Sequence, residues 1–175
     1  PTYLDYCTVY DTRVGTATGT GIRESANSLF PNSCISVGNA GNGFSLANAG
    51  SATRCIAFGN GGADYGAGDQ GPFSIVADPL FLDVGADDYH LKAASPAIGL
   101  SILTHAIADD LDSLPRPNPV TGNYDSGAYQ FWDPDCGVDS VSQTGTNEAE
   151  VTFVNEGGSP KPSIGSAQNA ALWTL

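Results

Sequence analysis

The sequence predicts an all-β fold built as a solenoid, and two observations favour it. The first is composition: 22 Gly and 11 Pro in 175 residues, with short apolar runs between turn residues, leave little room for helices. The second is an internal repeat of about 21 residues in the N-terminal third. A chain of this length can bury one substantial core, so we expect one main domain.

The repeat aligns residues 34–41 with residues 55–62, and Cys, Ile, Gly, Asn and Gly recur at matching positions. A looser copy begins at Cys7, 27 residues before Cys34. Stacked coils place like residues over like at about 4.8 Å. We therefore expect Cys7, Cys34 and Cys55 to form an inward column, and Asn39 and Asn60 to stack as an amide ladder at a corner. The alternative is a β-sandwich with two similar hairpins.

Four motifs follow the repeat: DPLF at 78–81, SPAI at 95–98, DLDSLPR at 110–116 and GAY at 127–129. Together they resemble the closing segment of secreted bacterial right-handed parallel β-helix proteins of the choice-of-anchor Q type, in the pectate-lyase-like superfamily. The resemblance implies a right-handed parallel β-helix with coils in residues 1–77 and a capping meander in residues 78–131. Ser113 departs from the Gly usual in the family motif, and the link over residues 101–109 is longer.

The closing segment is expected to protect the end of the solenoid. Pro79 fixes φ and stops the coil pattern, and Leu80 with Phe81 is predicted to plug the core. Arg116 is one of only six cations in the chain. We expect it to lock the fold by pairing with a carboxylate, Asp125 or Asp112.

The remaining residues, 132–175, begin with a polar, turn-rich linker. Residues 148–154 alternate polar and apolar side chains, which predicts a half-buried strand. The segment after the cap in the resembled family is commonly a sorting or anchoring module, so an anchoring or assembly module is expected here. The sequence contains no Met, even at position 1. We therefore expect Pro1 to be a processed terminus or the chain to be part of a longer protein.

Charge narrows the set of partners. The formal net charge is −13 and the few Lys and Arg residues are not clustered, which argues against nucleic-acid binding and against anionic membrane surfaces. No apolar run is long enough to predict a membrane span. An acidic surface is compatible with neutral extracellular polysaccharide and with calcium. For calcium, the carboxylate group least constrained by the cap motifs is Asp133, Asp135 and Asp139.

The cysteines are expected to be small buried residues, although a disulfide between stacked neighbours or with Cys136 stays open. Zinc is disfavoured because no CxxC or Cys/His pairing occurs. Arg54 with Asp64 or Asp69 is the one combination in the coils that would suit a polysaccharide lyase or glycoside hydrolase. Three or four coils are few for a saccharide groove, and His90 is expected to be an ordinary surface histidine.

These observations predict a non-catalytic, structural or adhesive protein of the bacterial cell surface. Copies of the chain are expected to assemble end to end into a filament by strand addition. One alternative is the C-terminal fragment of a polysaccharide lyase or glycoside hydrolase. The other is a glycan-binding module that uses aromatic residues such as Tyr3, Tyr6 and Tyr10. The architecture alone does not choose among these functions.

Overall fold

The computed structural model describes residues 2–10, 19–25, 29–47, 51–102, 107–118, 122–132, 137–145 and 148–154. These residues form short β-strands and one turn of 3-10 helix, Val84–Ala86, with no α-helix among them. The strands are β1 Thr2–Asp5, β2 Thr8–Tyr10, β3 Ile22–Arg23, β4 Leu29–Asn32, β5 Ile35–Val37, β6 Phe44–Ser45, β7 Ile56–Phe58, β8 Ile75–Val76, β9 Phe81–Asp83, β10 Asp88–Leu91, β11 Gly137–Gly145 and β12 Glu148–Val154. The described residues confirm the all-β prediction.

The N-terminal strands pair in parallel. The largest sheet has the order β2-β5-β7-β8, and two further parallel pairs are β1-β4 and β3-β6. Ile35 lies opposite Ile56 and Val37 opposite Phe58, so the register joins residues 21 positions apart. The same spacing joins Phe44 to Tyr65 through a parallel bridge, and their rings stack with centroids 5.1 Å apart. The repeat in the sequence is therefore a repeat of backbone pairing.

Both faces of the largest sheet are covered. One buried cluster contains Cys34, Cys55 and Ala57, together with Phe44 and Ile22. Their neighbours in the strands point to the opposite face, because successive side chains in a strand alternate. A second cluster there consists of Ile35, Val37, Ile56, Phe81, Leu91 and Ala97. Burial on both faces is typical of parallel sheets, and each fully buried Ile or Phe contributes about 1.5–3 kcal/mol.

The second cluster corrects the expectation that Leu80 and Phe81 plug the end of the solenoid. Phe81 is buried and its ring meets that of Tyr10 edge-on, with centroids 6.4 Å apart. Ile75 packs against the same cluster. Because Tyr10 belongs to β2 and Ile75 to β8, the two outer strands, the cluster runs across the face of the sheet. Leu80 is only half-buried. The closing segment therefore packs against the apolar face of the sheet β2-β5-β7-β8.

The closing segment is held in place by local pairing and by bonds to the parallel strands. Strands β9 and β10 pair antiparallel around the 3-10 turn, which Asp83 caps by accepting from the Gly85 amide at 3.0 Å. Further along, the amide of Gly127 donates to the Ser33 carbonyl at 2.8 Å. The Ser126 hydroxyl donates to the Arg54 carbonyl, also at 2.8 Å. Residues 126–127 therefore tie the closing segment to the repeat.

The chain divides into two compact units, Pro1–Phe131 and Trp132–Leu175. The second contains the antiparallel pair β11-β12, in which Val141 lies opposite Val151. The strand predicted over residues 148–154 is present. No helix in the described residues has the length and apolar character to cross a bilayer.

Candidate functional site

Two of the three repeated cysteines are fully buried, namely Cys34 and Cys55, and Cys7 is half-buried. The Cys34 thiol donates to the Leu4 carbonyl at 3.1 Å, and the Cys34 amide donates to the Cys55 sulfur at 3.4 Å. Burial raises the pKa of Cys34, and a hydrogen bond with Cys34 followed by burial raises the pKa of Cys7. All three are free thiols that lie in or against the core, and the raised pKa of Cys7 and Cys34 makes these two unsuited to nucleophilic chemistry. Cys136 lies outside the described residues.

The amide ladder lies at a corner of the repeat. The Asn39 side chain donates to the Asn60 side-chain oxygen at 2.8 Å, and Asn60 donates in turn to the Asp64 carboxylate at 2.8 Å. Asp64 also accepts from the Asn60 main-chain amide at 3.2 Å. Asp64 therefore ends the ladder, since a carboxylate can accept both bonds and offers no donor to a further layer.

The catalytic candidates Arg54, Asp64 and Asp69 have separate structural partners. The Arg54 guanidinium donates to the Leu100 carbonyl at 2.9 Å and lies 4.3 Å from the centre of the Phe73 ring. Asp69 is buried and accepts from the Leu46 amide at 2.9 Å. With Asp64 in the ladder, Asp64 and Asp69 bond to the repeat, whereas Arg54 bonds to the closing segment.

Arg116 is held by main-chain carbonyls, which corrects the expected pairing with a carboxylate. Its guanidinium donates to the carbonyls of Asp125 at 3.0 Å and Gly127 at 2.8 Å, and it lies 4.5 Å from the centre of the Tyr6 ring. Burial lowers the pKa of Arg116, while Asp110, Tyr6 and Asp125 oppose that shift. The physical reason is local: the turn at 125–127 buries its carbonyls, and a guanidinium can satisfy two of them at once.

The Asp125 carboxylate serves the same turn. It accepts from the Gly99 amide at 2.8 Å, the Phe131 amide at 2.7 Å and the Gln130 side chain at 2.6 Å. Burial raises the pKa of Asp125, and these hydrogen bonds partly offset the rise. Asp125 and Arg116 thus organise one buried turn from its two sides, as structural residues.

His90 lies in a cluster of three side chains that the sequence did not predict. Its Nδ1 lies 2.5 Å from the Asp88 carboxylate and its Nε2 lies 2.6 Å from the Asp112 carboxylate. Partial burial alone lowers the pKa of His90, but the hydrogen bonds to Asp112 and Asp88 outweigh it and the pKa is raised overall. Hydrogen bonds from His90 lower the pKa of Asp88. We call these three residues the histidine clamp.

The clamp joins β10 to the loop at 110–113. Asp88 and His90 are two positions apart, a spacing that places both on one face of a strand, so this half of the clamp was visible in the sequence. Asp112 is 22 residues away from His90, and no local pattern indicates it. Because each ring nitrogen of His90 is hydrogen-bonded to a carboxylate, neither nitrogen is available to transfer a proton to or from a substrate. The clamp is suited to holding two segments together.

A cavity of about 250 Å³ lies beside the clamp. The Tyr129 ring, which contributes to its wall, contacts the His90 ring with centroids 4.1 Å apart. We call it the tyrosine pocket, and its lining residues are Thr8, Tyr10, Tyr89, Leu111, Ala128 and Tyr129.

Of the calcium candidates, Asp133 and Asp135 lie outside the described residues, and Asp139 lies in β11, where the backbone alone is described. Within the described ranges, no three His, Cys, Asp or Glu side chains are grouped so as to hold a metal ion. In the closing segment, Asp83 and Asp110 cap turns by accepting main-chain amides.

Comparison of the chain with protein-family models, with curated proteins and with solved structures finds no match.

Proposed function

We propose that the chain is the C-terminal part of a secreted bacterial right-handed parallel β-helix of the choice-of-anchor Q type, acting at the cell surface as a non-catalytic structural or adhesive component. The observation that carries the proposal is how the polar side chains of the repeat are used. The ladder Asn39–Asn60–Asp64 and the buried carboxylate of Asp69 hold coils together.

The order of strand pairing supports a β-helix. Along the chain, β1, β2 and β3 are followed by β4, β5 and β6, and each strand of the first set pairs in parallel with the corresponding strand of the second. Three strands per coil, repeated in the same order, are the pattern that a parallel β-helix produces. Each coil leaves its apolar face to be buried by the next, so stability depends on stacking.

The closing segment supports a structural role. It covers the apolar outer face of the sheet with Phe81, Leu91 and Ala97. Its carboxylates at Asp83, Asp110 and Asp125 accept main-chain amides. Side chains committed to such bonds are poorly placed to act on a substrate, whereas they suit a protein whose task is to keep its shape outside the cell.

End-to-end assembly is part of the proposal. In the described sheets, β1, β2 and β3 each have a neighbour on one side only, so their free edges can pair with strands of another coil. Copies of a chain with net charge −13 repel each other at low ionic strength. We therefore expect assembly to increase between about 0.01 M and 0.15 M salt, as the Debye length falls from about 30 Å to about 8 Å.

Negative-stain imaging, combined with mass measurement by light scattering over a range of protein and salt concentrations, tests this proposal. We expect fibres and a mass that rises with both concentrations. Tyr3→Lys places a charge on an exposed residue of β1 and should suppress the fibres. Val84→Lys, which adds the same charge at the exposed 3-10 turn, should not. Monomers under every condition, or cleavage of polysaccharide that Arg54→Ala abolishes in a folded variant, would contradict the proposal.

A further inference from the structure

Four segments of the chain build the tyrosine pocket. Thr8 and Tyr10 come from β2, Tyr89 comes from β10, Leu111 lies in the loop at 110–113, and Ala128 and Tyr129 follow the turn that ties the closing segment to the repeat. The Ala128 amide donates to the Thr8 hydroxyl oxygen at 2.9 Å, which fixes the two sides of the pocket relative to each other.

The size of the pocket limits its ligand. A volume of about 250 Å³ corresponds to roughly eight water molecules at about 30 Å³ each. That space suits one small ring and is too small for a folded peptide segment. A longer ligand would place one unit in the pocket and leave the rest outside.

The lining is amphipathic. The lining includes three tyrosines, Tyr10, Tyr89 and Tyr129, whose side chains combine an aromatic ring with a hydroxyl group, and Thr8, which also carries a hydroxyl. The Tyr89 hydroxyl donates to the Asp87 carboxylate at 3.0 Å. A pyranose has the matching character, because its C–H groups form an apolar face while its hydroxyls surround the rim. Aromatic side chains that combine an apolar body with a polar tip favour such ligands.

The surrounding charge selects against anions. Three carboxylates lie near this wall: Asp88 and Asp112 bond to the His90 ring, which contacts the Tyr129 ring, and Asp110 accepts from the Gln130 amide at 2.8 Å. Partial burial and the negative charges of Asp112, Asp88 and Asp110 raise the pKa of Tyr129. His90 adds a positive charge beside the pocket when it is protonated. Since the described residues that line the pocket include no Lys or Arg, a sugar carrying a carboxylate would be repelled.

We propose that the tyrosine pocket binds one neutral pyranose ring of an oligosaccharide, with a C–H face against the tyrosines and hydroxyls toward Thr8 and Tyr129. Because the pocket is shared between β2 and the closing segment, ligand binding also stabilises their junction. Sugar binding at this pocket does not depend on whether copies of the chain form fibres.

Titration of the full chain, labelled with ¹³C at tyrosine rings, tests the proposal by nuclear magnetic resonance. The probes are the methyl glycosides of glucose, galactose, mannose and N-acetylglucosamine, methyl glucuronide as the anionic sugar, and tetramethylammonium as an organic cation. A single ring is expected to bind with Kd of about 1–10 mM. At least one neutral glycoside should shift the ring signals of Tyr10, Tyr89 and Tyr129 while leaving Tyr3 unchanged, and methyl glucuronide should bind at least about tenfold more weakly.

Leu111→Trp is the blocking variant, since Leu111 lines the pocket and its side chain is 68% exposed, so a larger residue there leaves the core intact. It should weaken neutral-glycoside binding at least about tenfold. Val84→Trp adds the same side chain at an exposed residue outside the pocket and should bind as the parent does. The proposal is overturned by an absence of shifts with every neutral glycoside, by shifts with tetramethylammonium alone, or by undiminished binding in Leu111→Trp.

Discussion

Replacing Asp125 by Asn removes the charge of a fully buried carboxylate with almost no change of shape. The carboxylate accepts three hydrogen bonds, two of them from the main-chain amides of Gly99 and Phe131. An Asn side chain has only one oxygen, and its NH₂ group must then face at least one of these main-chain donors. An amide of the main chain cannot turn away, so at least one buried N–H loses its acceptor.

Two effects oppose each other in this variant. Burial raises the pKa of Asp125, so removing the charge relieves a desolvation cost. Against this, each buried donor left without an acceptor costs about 1–3 kcal/mol. At least one main-chain donor loses its acceptor, and the Gln130 side chain is a second donor that can lose its own. We therefore expect this cost to exceed the gain from removing the buried charge. Asp125→Asn should lower the free energy of unfolding by about 1–3 kcal/mol, and Asp125→Ala, which abandons all three donors, by at least about 3 kcal/mol.

Thermal unfolding followed by circular dichroism, with amide hydrogen exchange read at Gly99 and Phe131, measures the effect. A loss of this size corresponds to a fall in Tm of about 3–10 °C, accompanied by faster exchange at those two amides. Asp109→Asn is the matched control: it makes the same change of charge at an exposed residue. If Asp125→Asn were as stable as Asp109→Asn, the turn at 125–127 would not depend on the carboxylate and the reasoning would be refuted.

Three further predictions follow from the same contacts. A Cβ on Gly127, at φ +98°, would lie 2.7 Å from Ile35 Cδ1 and 2.9 Å from Thr8 Oγ1, whereas at Gly122, φ +71°, it would meet nothing described within 4 Å. In urea unfolding we therefore expect Gly127→Ala to be about 1–3 kcal/mol less stable than Gly122→Ala, and equal losses would contradict the packing of this turn on the sheet. In the histidine clamp, the pKa of His90 is raised by folding. Its contribution to stability is therefore complete below pH 6.5 and is lost as the pH rises through the higher folded-state pKa. The pKa of Asp88 is lowered by folding, so its contribution is lost as the pH falls through a value below 3.8. Tm measured against pH should therefore decline above pH 6.5 in the parent and decline less in His90→Gln, and parallel profiles would rule the clamp out. In the amide ladder, Asn60→Asp places two carboxylates where Asn60 now donates to Asp64 at 2.8 Å, so we expect a loss of about 2 kcal/mol that Asp64→Asn partly restores. A double-mutant cycle on urea unfolding should give a coupling energy of about 0.5–3 kcal/mol, and additive losses would mean that the two side chains do not interact.

The sequence was most informative where the structure repeats. Cys34 with Cys55 and Asn39 with Asn60 recur at one spacing, and stacking like residues over like is enough to predict a shared column and a ladder. The structure pairs their strands at that register. Regular pairing depends on local periodicity, which a sequence displays directly.

The closing segment was harder to predict because its contacts are long-range and irregular. Nothing near Phe81 in the sequence indicates that it will cover the sheet face at Ile35 and Ile56 instead of the end of the stack. Arg116 was expected to pair with a carboxylate, but its guanidinium donates to the buried carbonyls of a turn. Such carbonyls have no periodic pattern in a sequence, so this contact could not be predicted. In the histidine clamp, the contact between Asp88 and His90 is local and could be predicted from the sequence, whereas the contact between Asp112 and His90 is long-range and could not.

Nuclear Overhauser effects measure whether strands 21 positions apart pair in parallel and whether the closing segment lies across one face of their sheet. We expect cross-peaks of a parallel pair between β5 and β7, at Ile35–Ile56 and Val37–Phe58. We also expect cross-peaks from the Ile35 methyl group to Gly127, since these groups are in contact. Strong contacts between the Hα protons of β5 and β7 in an antiparallel register, as two strands of a sandwich would give, would contradict the parallel pairing.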